Sequence, residues 1–173
     1  DPQKLSPVED AARFIYLNRT CFNGLYRVNR SGKFNVPFGR YKNPTICNTQ
    51  RLLSVSEALE GVDIRVRDVF SLGRDVRKGD LVYLDPPYDP ISPTASFTSY
   101  AKTPFAKEEQ KKLARLFKAL AGKGAYVILS NSDTPFINEL YQDFRIDKVS
   151  ARRAINSRSD RRGRVSEVLV TSW

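Results

Sequence analysis

Histidine and methionine are both absent from this 173-residue chain, and only two cysteines are present. Without histidine, no Ser-His-Asp or Cys-His catalytic site can form within the chain. Cys21 and Cys47 do not have the spacing of metal ligands, so the sequence gives no sign of a zinc site. We therefore expect no metal, and two reduced thiols rather than a disulfide, as in a cytoplasmic protein.

Long apolar runs are also missing. No segment is long and apolar enough to span a bilayer, and no signal peptide opens the chain, so we expect no membrane association. The chain starts at Asp1-Pro2, and no methionine stands at this position. We therefore expect it to be an internal piece of a longer protein.

Positive charge is in excess. The chain has 29 lysines and arginines against 19 aspartates and glutamates, which gives a net charge of +10. This excess favours a polyanionic partner, although a basic protein without nucleic acid is a competing interpretation. A hydrophobic content of 40% and a charged content of 28% are typical of a globular protein.

The most informative stretch is a short apolar run that meets a polar turn. Residues 81–84 are apolar or aromatic and are followed at once by Asp85, Pro86, Pro87 and Tyr88. The run predicts a buried strand of an α/β sheet, and the prolines end it. Asp85 is therefore expected at the carboxyl end of a strand, where open α/β sheets bind their ligands.

This turn suits a substrate that donates hydrogen bonds. Pro86 and Pro87 have no backbone N–H, so the turn offers mainly the carboxylate of Asp85 and nearby carbonyls as acceptors. The exocyclic amine of a nucleobase is such a donor, and two acceptors would free its lone pair for attack. Tyr88 is placed to stack on the base, which must first leave the duplex.

Three motifs carry a family resemblance, and they occur along the chain in the same order as in the family. Asp85-Pro86-Pro87-Tyr88 resembles the catalytic motif of amino-methyltransferases that use S-adenosylmethionine. Two further segments resemble the Dam family of DNA adenine-N6 methyltransferases. They are the region 18–41, which includes the run Gly32 to Tyr41, and the segment Ala95 to Tyr100.

The resemblance implies an α/β fold, namely a Rossmann-like S-adenosylmethionine-dependent methyltransferase sheet with an inserted helical and β-hairpin DNA-recognition region. Residues 1–60 would form the recognition region, with a hairpin at 22–41, and residues 61–173 the catalytic region. The implied partner is double-stranded DNA, and the implied reaction methylates N6 of a flipped adenine. The family's N-terminal Phe-x-Gly-Gly-Lys segment and glycine-rich turn do not occur in this sequence. We therefore expect an incomplete sheet and a segment supplied from elsewhere, or weak cofactor binding.

The hairpin is predicted from two short strands, Leu25 to Asn29 and Lys33 to Val36, joined by a glycine-containing loop. A two-stranded ribbon fits the major groove, where Arg27 can form a bidentate pair with guanine. Phe22 is a candidate wedge at the emptied base position. An ordinary solvated hairpin with an exposed arginine is the alternative.

The other predicted DNA contacts divide into two groups. Leu25 and Pro37 are candidates for a thymine methyl, Asn23 marks the turn beside them, and Tyr41 belongs to the recognition surface by resemblance. Polar and basic residues are predicted to contact phosphate, which positions the protein without specifying sequence. These are Arg19, Asn29, Asn35, Arg40 and Lys42. In Dam-type enzymes the residues matching Leu25, Arg27, Pro37 and Tyr41 contact the bases of GATC, which makes GATC the leading target.

The cofactor contacts follow from the resemblance. Val62 to Val66 alternates in the manner of a strand, and Asp68 follows it. In the family the acid at this place binds the adenine amine of S-adenosylmethionine, Val69 lines the ring pocket, and Asp85 also belongs to the cofactor site. A helix cap or loop acid is an equally good interpretation of Asp68.

The remaining pattern predicts alternating helices and strands. Helices are expected at about 8–17, 48–60, from Thr103-Pro104 to Gly122, and from Thr134-Pro135 to Gln142, with strands at 125–129, 144–149 and 165–172. We favour a helix cap for residues 130–133 over the late active-site segment that they resemble. Phe97 and Tyr100 could close over a base or pack their own loop, and six arginines between 152 and 164 could contact phosphate or form a disordered loop.

Two other functions stay open at this point. The chain could be a non-catalytic or truncated DNA-binding relative, or it could methylate RNA or a protein amide. The hairpin favours duplex DNA, because the deep major groove of A-form RNA cannot be read in this way.

Overall fold

The computed structural model describes residues 4–29, 31–91, 105–152 and 164–173. The predicted lid residues Phe97 and Tyr100, the pair Thr103-Pro104 and residues 153–163 of the arginine-rich segment lie outside the described residues. The predicted helix start at Thr103-Pro104 is wrong, because the helix begins at Lys107 and Ala106 precedes its first turn. The chain divides into two compact units, Asp1–Arg65 and Val66–Trp173. None of the described helices is long and apolar enough to cross a membrane.

The first unit contains two helices with polar caps. Helix α1 spans Pro7–Thr20, and Ser6 and Glu9 cap each other at its start, with the Ser6 N–H donating to Glu9 Oε2 over 2.8 Å. Helix α2 spans Thr49–Ala58, and Asn48 Oδ1 accepts the N–H of Arg51 at 3.0 Å. The two predicted helices are confirmed. Each begins at a residue whose side chain accepts from a backbone N–H of the first turn that has no partner within the helix.

The predicted hairpin strands are wrong as continuous strands. Pairing is confined to two isolated antiparallel bridges, Val28 with Phe34 and Cys21 with Phe38. Around the first bridge, the N–H of Asn29 donates to the carbonyl of Lys33 at 2.8 Å. Two-stranded hairpins are only marginally stable without further strands. The chain therefore reverses direction as predicted but keeps little regular ladder.

The predicted strand at Val62 to Val66 is also wrong. The segment has no regular secondary structure, and Val62, Ile64 and Val66 are all exposed. Its alternation satisfies the strand pattern, but a strand also needs a neighbouring backbone to pair with. Within the described residues the only backbone bond in this segment runs from the N–H of Val62 to the carbonyl of Leu59.

The second unit is built on a four-stranded mixed sheet. Its strands are β1 (Leu81–Leu84), β2 (Tyr126–Ser132), β3 (Arg145–Arg152) and β4 (Arg164–Thr171), in the order β1-β2-β4-β3. Strand β1 is parallel to β2, and β4 is antiparallel to both β2 and β3. Helix α3 (Lys107–Gly122) connects the parallel pair, and α4 (Pro135–Leu140) follows β2. The predicted α/β class is confirmed at this level.

The core of this unit lies on one face of the sheet. Phe117 of α3 is fully buried and meets Tyr141 and Phe144 edge to face, with ring centroids 5.3 and 4.8 Å apart. The buried hydrophobic residues of the strands all belong to one alternation. They are Val82, Leu84, Val127, Leu129, Val168 and Val170. The predicted full burial of β1 is therefore wrong, because Leu81 and Tyr83 point to the opposite face and are exposed.

The parallel register determines where the polar turn lies. Leu84, the last residue of β1, pairs with Leu129 of β2, so the next residues along the two chain segments are Asp85 and Ser130. The carboxyl ends of parallel strands meet at the same edge of a sheet. The predicted strand end at Asp85 is confirmed. A ligand is therefore expected at this edge of the sheet.

Candidate active site

The side chain of Asp85 is exposed at the end of β1 and is held from one side. Ser130 Oγ donates a hydrogen bond to Asp85 Oδ1 at 2.7 Å, and Ser130 itself is buried. A hydrogen bond to one carboxylate oxygen limits rotation of the group. The second oxygen, Oδ2, therefore keeps a defined direction, and no described residue donates to it.

The contact corrects our preference for a purely capping role of residues 130–133. Thr134 is the cap of α4, where its Oγ1 accepts the N–H of Ile137 at 3.2 Å. Ser130 instead contacts the acid of the turn. The signal for this contact was in the sequence, since Asp85 and Ser130 each follow a predicted strand on the same rim of the sheet.

Gln110 also belongs to this region, and sequence reasoning missed it, whereas Asn131 lies in the segment 130–133 for which we favoured a helix cap. Gln110 donates through Nε2 to the carbonyl of Pro87 at 2.8 Å, and it is almost completely buried. It precedes Leu113, Phe117 and Leu120 along the apolar face of α3. A glutamine at an apolar helical position is the signal that was available, because a buried amide requires partners.

The turn therefore separates its acceptors into two pairs. Asp85 Oδ1 and the Pro87 carbonyl already accept hydrogen bonds, from Ser130 and Gln110. Asp85 Oδ2 and the Pro86 carbonyl receive no hydrogen bond from any residue that the structure describes. The second pair is the one that the sequence predicted for a donating amine.

Tyr88 is half-buried beside this turn. Its hydroxyl lies 3.5 Å from Glu167 Oε2 on β4. Burial raises the pKa of the Tyr88 phenol above its ordinary value, so the ring stays neutral and its hydroxyl acts as a donor. The distance of 3.5 Å to Glu167 Oε2 is long for an O–H···O hydrogen bond, so the contact restrains the ring only weakly.

Asp68 lies at the start of a short 3₁₀ helix, Val69–Arg74. Its Oδ1 accepts the N–H of Phe70 at 2.9 Å, so the capping alternative describes a contact that is present. The second carboxylate oxygen receives no hydrogen bond from the described residues. Because a free carboxylate oxygen can accept a hydrogen bond, Asp68 keeps one acceptor available for a donor group. Val69 packs against the core from the same helix.

In the first unit, Arg27 and Asn35 form a pair. Arg27 donates through Nε to Asn35 Oδ1 at 3.0 Å and through Nη2 to the Asn35 carbonyl at 3.1 Å. Asn35, predicted as a phosphate contact, thus orients the arginine in this structure. The Nη1 group of Arg27 makes no contact with any described side chain.

The other predicted DNA contacts are spread over the same unit and are accessible. Phe22 and Tyr41 expose 51% and 44% of their surfaces, which is unusual for large aromatic side chains. Arg19, Asn23, Asn29, Pro37, Arg40 and Lys42 are exposed, and Leu25 is half-buried. Asn29 also has a local role, because its Oδ1 accepts the N–H groups of Ser31 and Lys33, each at 3.0 Å.

Gly39 is required by the path of this loop. A Cβ atom there would lie 2.7 Å from the Cys21 carbonyl and would overlap the ring of Tyr41. The N–H of Gly39 donates to the carbonyl of Thr20 at 2.7 Å, and Arg40 follows with a φ of 53°. The close approach ties the loop back to the end of α1 and turns the Arg40-Tyr41 pair outward.

Comparison with known proteins gives a consistent result. The model of the family described as D12 class N6 adenine-specific DNA methyltransferase matches residues 2–155. The chain is 46% identical over 172 residues to Type II methyltransferase M1.LlaDCHI of Lactococcus lactis subsp. cremoris, covering 98% of this chain and 61% of that protein.

Two further proteins are similar to this chain. Type II methyltransferase M.MjaIII of Methanocaldococcus jannaschii is 45% identical over 168 residues, covering 96% of this chain and 58% of that protein. The DNA adenine methylase of Escherichia coli (strain K12) is 37% identical over 164 residues, covering 95% of this chain and 59% of that protein. The chain thus spans about three fifths of the length of these relatives.

Proposed function

Because this chain belongs to the D12 class of N6 adenine-specific DNA methyltransferases, we propose that it carries the catalytic turn and the target-recognition region of an enzyme that methylates N6 of adenine in duplex DNA. One observation supports this proposal most strongly. Asp85 Oδ2 and the Pro86 carbonyl belong to consecutive residues and have no described donors, while Asp85 Oδ1 and the Pro87 carbonyl each accept a hydrogen bond. The α/β unit that holds them would form part of a Rossmann-like methyltransferase sheet.

The two acceptors act on the amine of the flipped base. N6 of adenine is a poor nucleophile, because its lone pair is delocalised into the ring. When Asp85 Oδ2 and the Pro86 carbonyl each accept one N6 hydrogen, the nitrogen becomes more tetrahedral and its lone pair becomes directed. Tyr88 stacks on the ring and holds it in place, and the extruded base is kept away from water.

The cofactor is proposed from the family. S-adenosylmethionine supplies an electrophilic methyl group on a sulfonium ion. Asp68 would bind the adenine amine through its second carboxylate oxygen, Val69 would line the ring pocket, and Asp85 would border the site from the catalytic turn. The residues of this chain thus hold the nitrogen and the adenosine end in place, and the reaction needs no covalent bond to the protein.

The first unit would bring the enzyme to its target. Arg27 is the candidate for guanine, and Leu25 and Pro37 are the candidates for a thymine methyl. Phe22 and Tyr41 present exposed rings, which suits a wedge and a contact surface. The net charge of +10 favours phosphate contacts and a strong dependence of affinity on salt. GATC is the target we propose to test first, on the resemblance of Leu25, Arg27, Pro37 and Tyr41 to Dam-type residues.

A methyl-transfer assay with labelled S-adenosylmethionine and duplex DNA tests the proposal. We expect Asp85→Ala to reduce kcat by about 100- to 1000-fold, because a positioned acceptor on the reacting nitrogen is removed. Asp80→Asn is the matched control, since it removes a carboxylate at the opposite end of the same strand. The control is expected to retain transfer.

Two outcomes would contradict the proposal. Transfer that survives Asp85→Ala would remove the catalytic assignment, and DNA binding by the unmodified protein without any transfer would favour a binding module. A parallel competition with duplex RNA of the same sequence addresses the substrate. We expect DNA to compete and RNA to compete poorly, because the recognition surface is matched to the wide major groove of DNA.

A further inference from the structure

The proposed catalytic turn has few backbone N–H groups that could donate hydrogen bonds and hold it in place. Pro86, Pro87 and Pro90 have no backbone N–H, so the segment cannot donate hydrogen bonds at three of the positions around Tyr88. A turn of this kind must be fixed through its carbonyls, by donors from elsewhere in the fold.

Two buried side-chain amides supply that contact. Gln110 Nε2 donates to the Pro87 carbonyl at 2.8 Å, and Gln110 Oε1 accepts from Asn131 Nδ2 at 3.1 Å. Asn131 Oδ1 in turn accepts the N–H of Asp89 at 2.9 Å. The chain of bonds runs from the carbonyl before Tyr88 to the N–H after it, and so closes a ring around that residue.

The direction of every bond in this ring is imposed by the backbone. The carbonyl of Pro87 can only accept, so Gln110 must present its NH2 group and turn its oxygen toward Asn131. The N–H of Asp89 can only donate, so Asn131 must present its oxygen and turn its NH2 toward Gln110. Gln110 is 1% exposed and Asn131 is 0% exposed, so water cannot replace a missing partner.

A second contact extends the ring to α4. Thr134 Oγ1 donates to Asp89 Oδ2 at 2.8 Å, and Thr134 is also the cap of that helix. The residue after Tyr88 is therefore held by both its backbone and its side chain. These contacts leave Asp85 Oδ2 and the Pro86 carbonyl without a hydrogen-bond donor among the described residues.

We propose that Gln110 and Asn131 are positioning residues, which fix both peptide groups of Tyr88 from the core side and so aim the Pro86 carbonyl and the Tyr88 ring at the extruded base. The inference rests on the proposed function, because it assigns these amides to the methyl-transfer turn. Gln110 and Asn131 do not touch the substrate. Their effect is on the geometry of the groups that do, and small misplacements of reacting groups lower rates strongly.

Gln110→Glu tests the direction of the bonds. Its neutral carboxyl group can donate to the Pro87 carbonyl and accept from Asn131, whereas its ionised form can only accept and repels that carbonyl. We expect the ratio of variant to wild-type kcat to fall at least about 10-fold as the pH rises from about 5.5 to about 9. Gln110→Leu is the matched control, for which we expect a low ratio that does not vary with pH.

The distribution of the effect between kcat and KM separates positioning from lost folding or lost binding. We expect both Gln110 variants to lower kcat by up to about 100-fold while the KM for DNA changes less than about 3-fold. Val127→Ala provides the stability control, since Val127 is fully buried in the same sheet and pairs with Val82, three positions before Asp85. A pH-independent ratio for Gln110→Glu, or an effect confined to KM, would overturn the proposal.

Hydrogen exchange tests the ring without any reference to the reaction. Because three prolines interrupt the segment from Asp85 to Ile91, its few amides are resolved readily by mass spectrometry. We expect Gln110→Leu to speed exchange at the Asp89 amide at least about 10-fold, while the amides of Val127 and Leu129 stay protected. If exchange at the Asp89 amide is unchanged in Gln110→Leu, Gln110 does not hold Asp89 through Asn131, and the proposal is wrong. If Asp85→Ala retains transfer but Asp89 exchange responds as expected, the proposed function fails and the ring stands.

Discussion

The two units of this protein differ in how they hold their functional side chains. In the unit Val66–Trp173, the proposed catalytic turn follows β1, whose residues Val82 and Leu84 belong to a core of thirteen buried hydrophobic residues among those described. In the unit Asp1–Arg65, Thr20 and Cys21 are the only described residues that are buried. Leu52, Leu53, Val55 and Leu59 of α2 and its end are exposed instead. The proposed chemistry therefore depends on a packed sheet, and the proposed recognition surface depends on local contacts.

The difference matches what each region is proposed to do. Methyl transfer requires a nitrogen, a carboxylate and a carbonyl to keep fixed relative positions, which a close-packed core provides. Recognition residues must follow the shape of a duplex, and a loop held by a few hydrogen bonds adapts more easily. In the first unit these bonds are those of Asn29, of Gly39 and of the Arg27–Asn35 pair. Three predictions test this comparison, in order of decreasing effect.

The largest effect is expected from emptying the core of the second unit. Phe117→Ala removes a fully buried ring that contacts Tyr141 and Phe144, and we expect it to lower the free energy of unfolding by about 3–5 kcal/mol. Leu53→Ala in α2 is the matched control and should cost less than about 0.5 kcal/mol, because its side chain is exposed. Urea unfolding followed by the fluorescence of Trp173 and by circular dichroism measures both. Equal effects would remove the contrast between the units.

An intermediate effect is expected at Arg27, where binding should change and stability should not. Arg27→Ala should reduce discrimination between the target and a site with one altered guanine by about 1–3 kcal/mol, because a bidentate contact is lost. Arg27→Lys keeps the charge but not the fork of donors, so it should lose discrimination while retaining non-specific affinity. Competitive titration of the two duplexes at fixed salt gives the values. Unchanged discrimination in both variants would exclude Arg27 as the residue that reads guanine.

The smallest effect concerns a polar contact in the second unit. Hydrogen bonds from Asn138, Lys148 and Ser166 lower the pKa of Asp133 from 3.8 to about 2. Because the folded pKa is depressed, this stabilisation is complete above about pH 4 and is lost as the pH falls toward 2. Asp133→Asn should therefore cost about 1 kcal/mol at pH 7 and flatten the acid dependence of unfolding.

Urea midpoints at pH 7, pH 4 and pH 3 measure this prediction, and Asp143→Asn is its control. Asp143 is an exposed carboxylate paired only with the exposed Lys118 among the described residues. We expect it to leave the acid dependence close to that of the unmodified protein. If Asp133→Asn retains the full loss of stability between pH 4 and pH 3, the contact does not stabilise the folded state.

Local rules were enough to predict much of this molecule from its sequence. The apolar run before Pro86 predicted the strand β1 and its end, because proline removes a backbone donor and restricts the residue before it. The sequence pattern also predicted helices ending at Gly122 and beginning at about residue 48, where α3 ends and where Asn48 caps α2. Each of these signals acts between residues that are close along the chain.

Which segments form strands, which side chains are buried and which distant residues make contact depended on the tertiary structure. Val62 to Val66 has the alternation of a strand but no described partner, and Leu81 and Tyr83 are exposed because only Val82 and Leu84 of β1 face the core. The contacts of Asp85 with Ser130 and of Pro87 with Gln110 join residues 45 and 23 positions apart. Such contacts depend on strand register and helix placement, which composition and periodicity do not contain. The sequence therefore determined which groups the turn offers, and the packing decided which of its acceptors stay free.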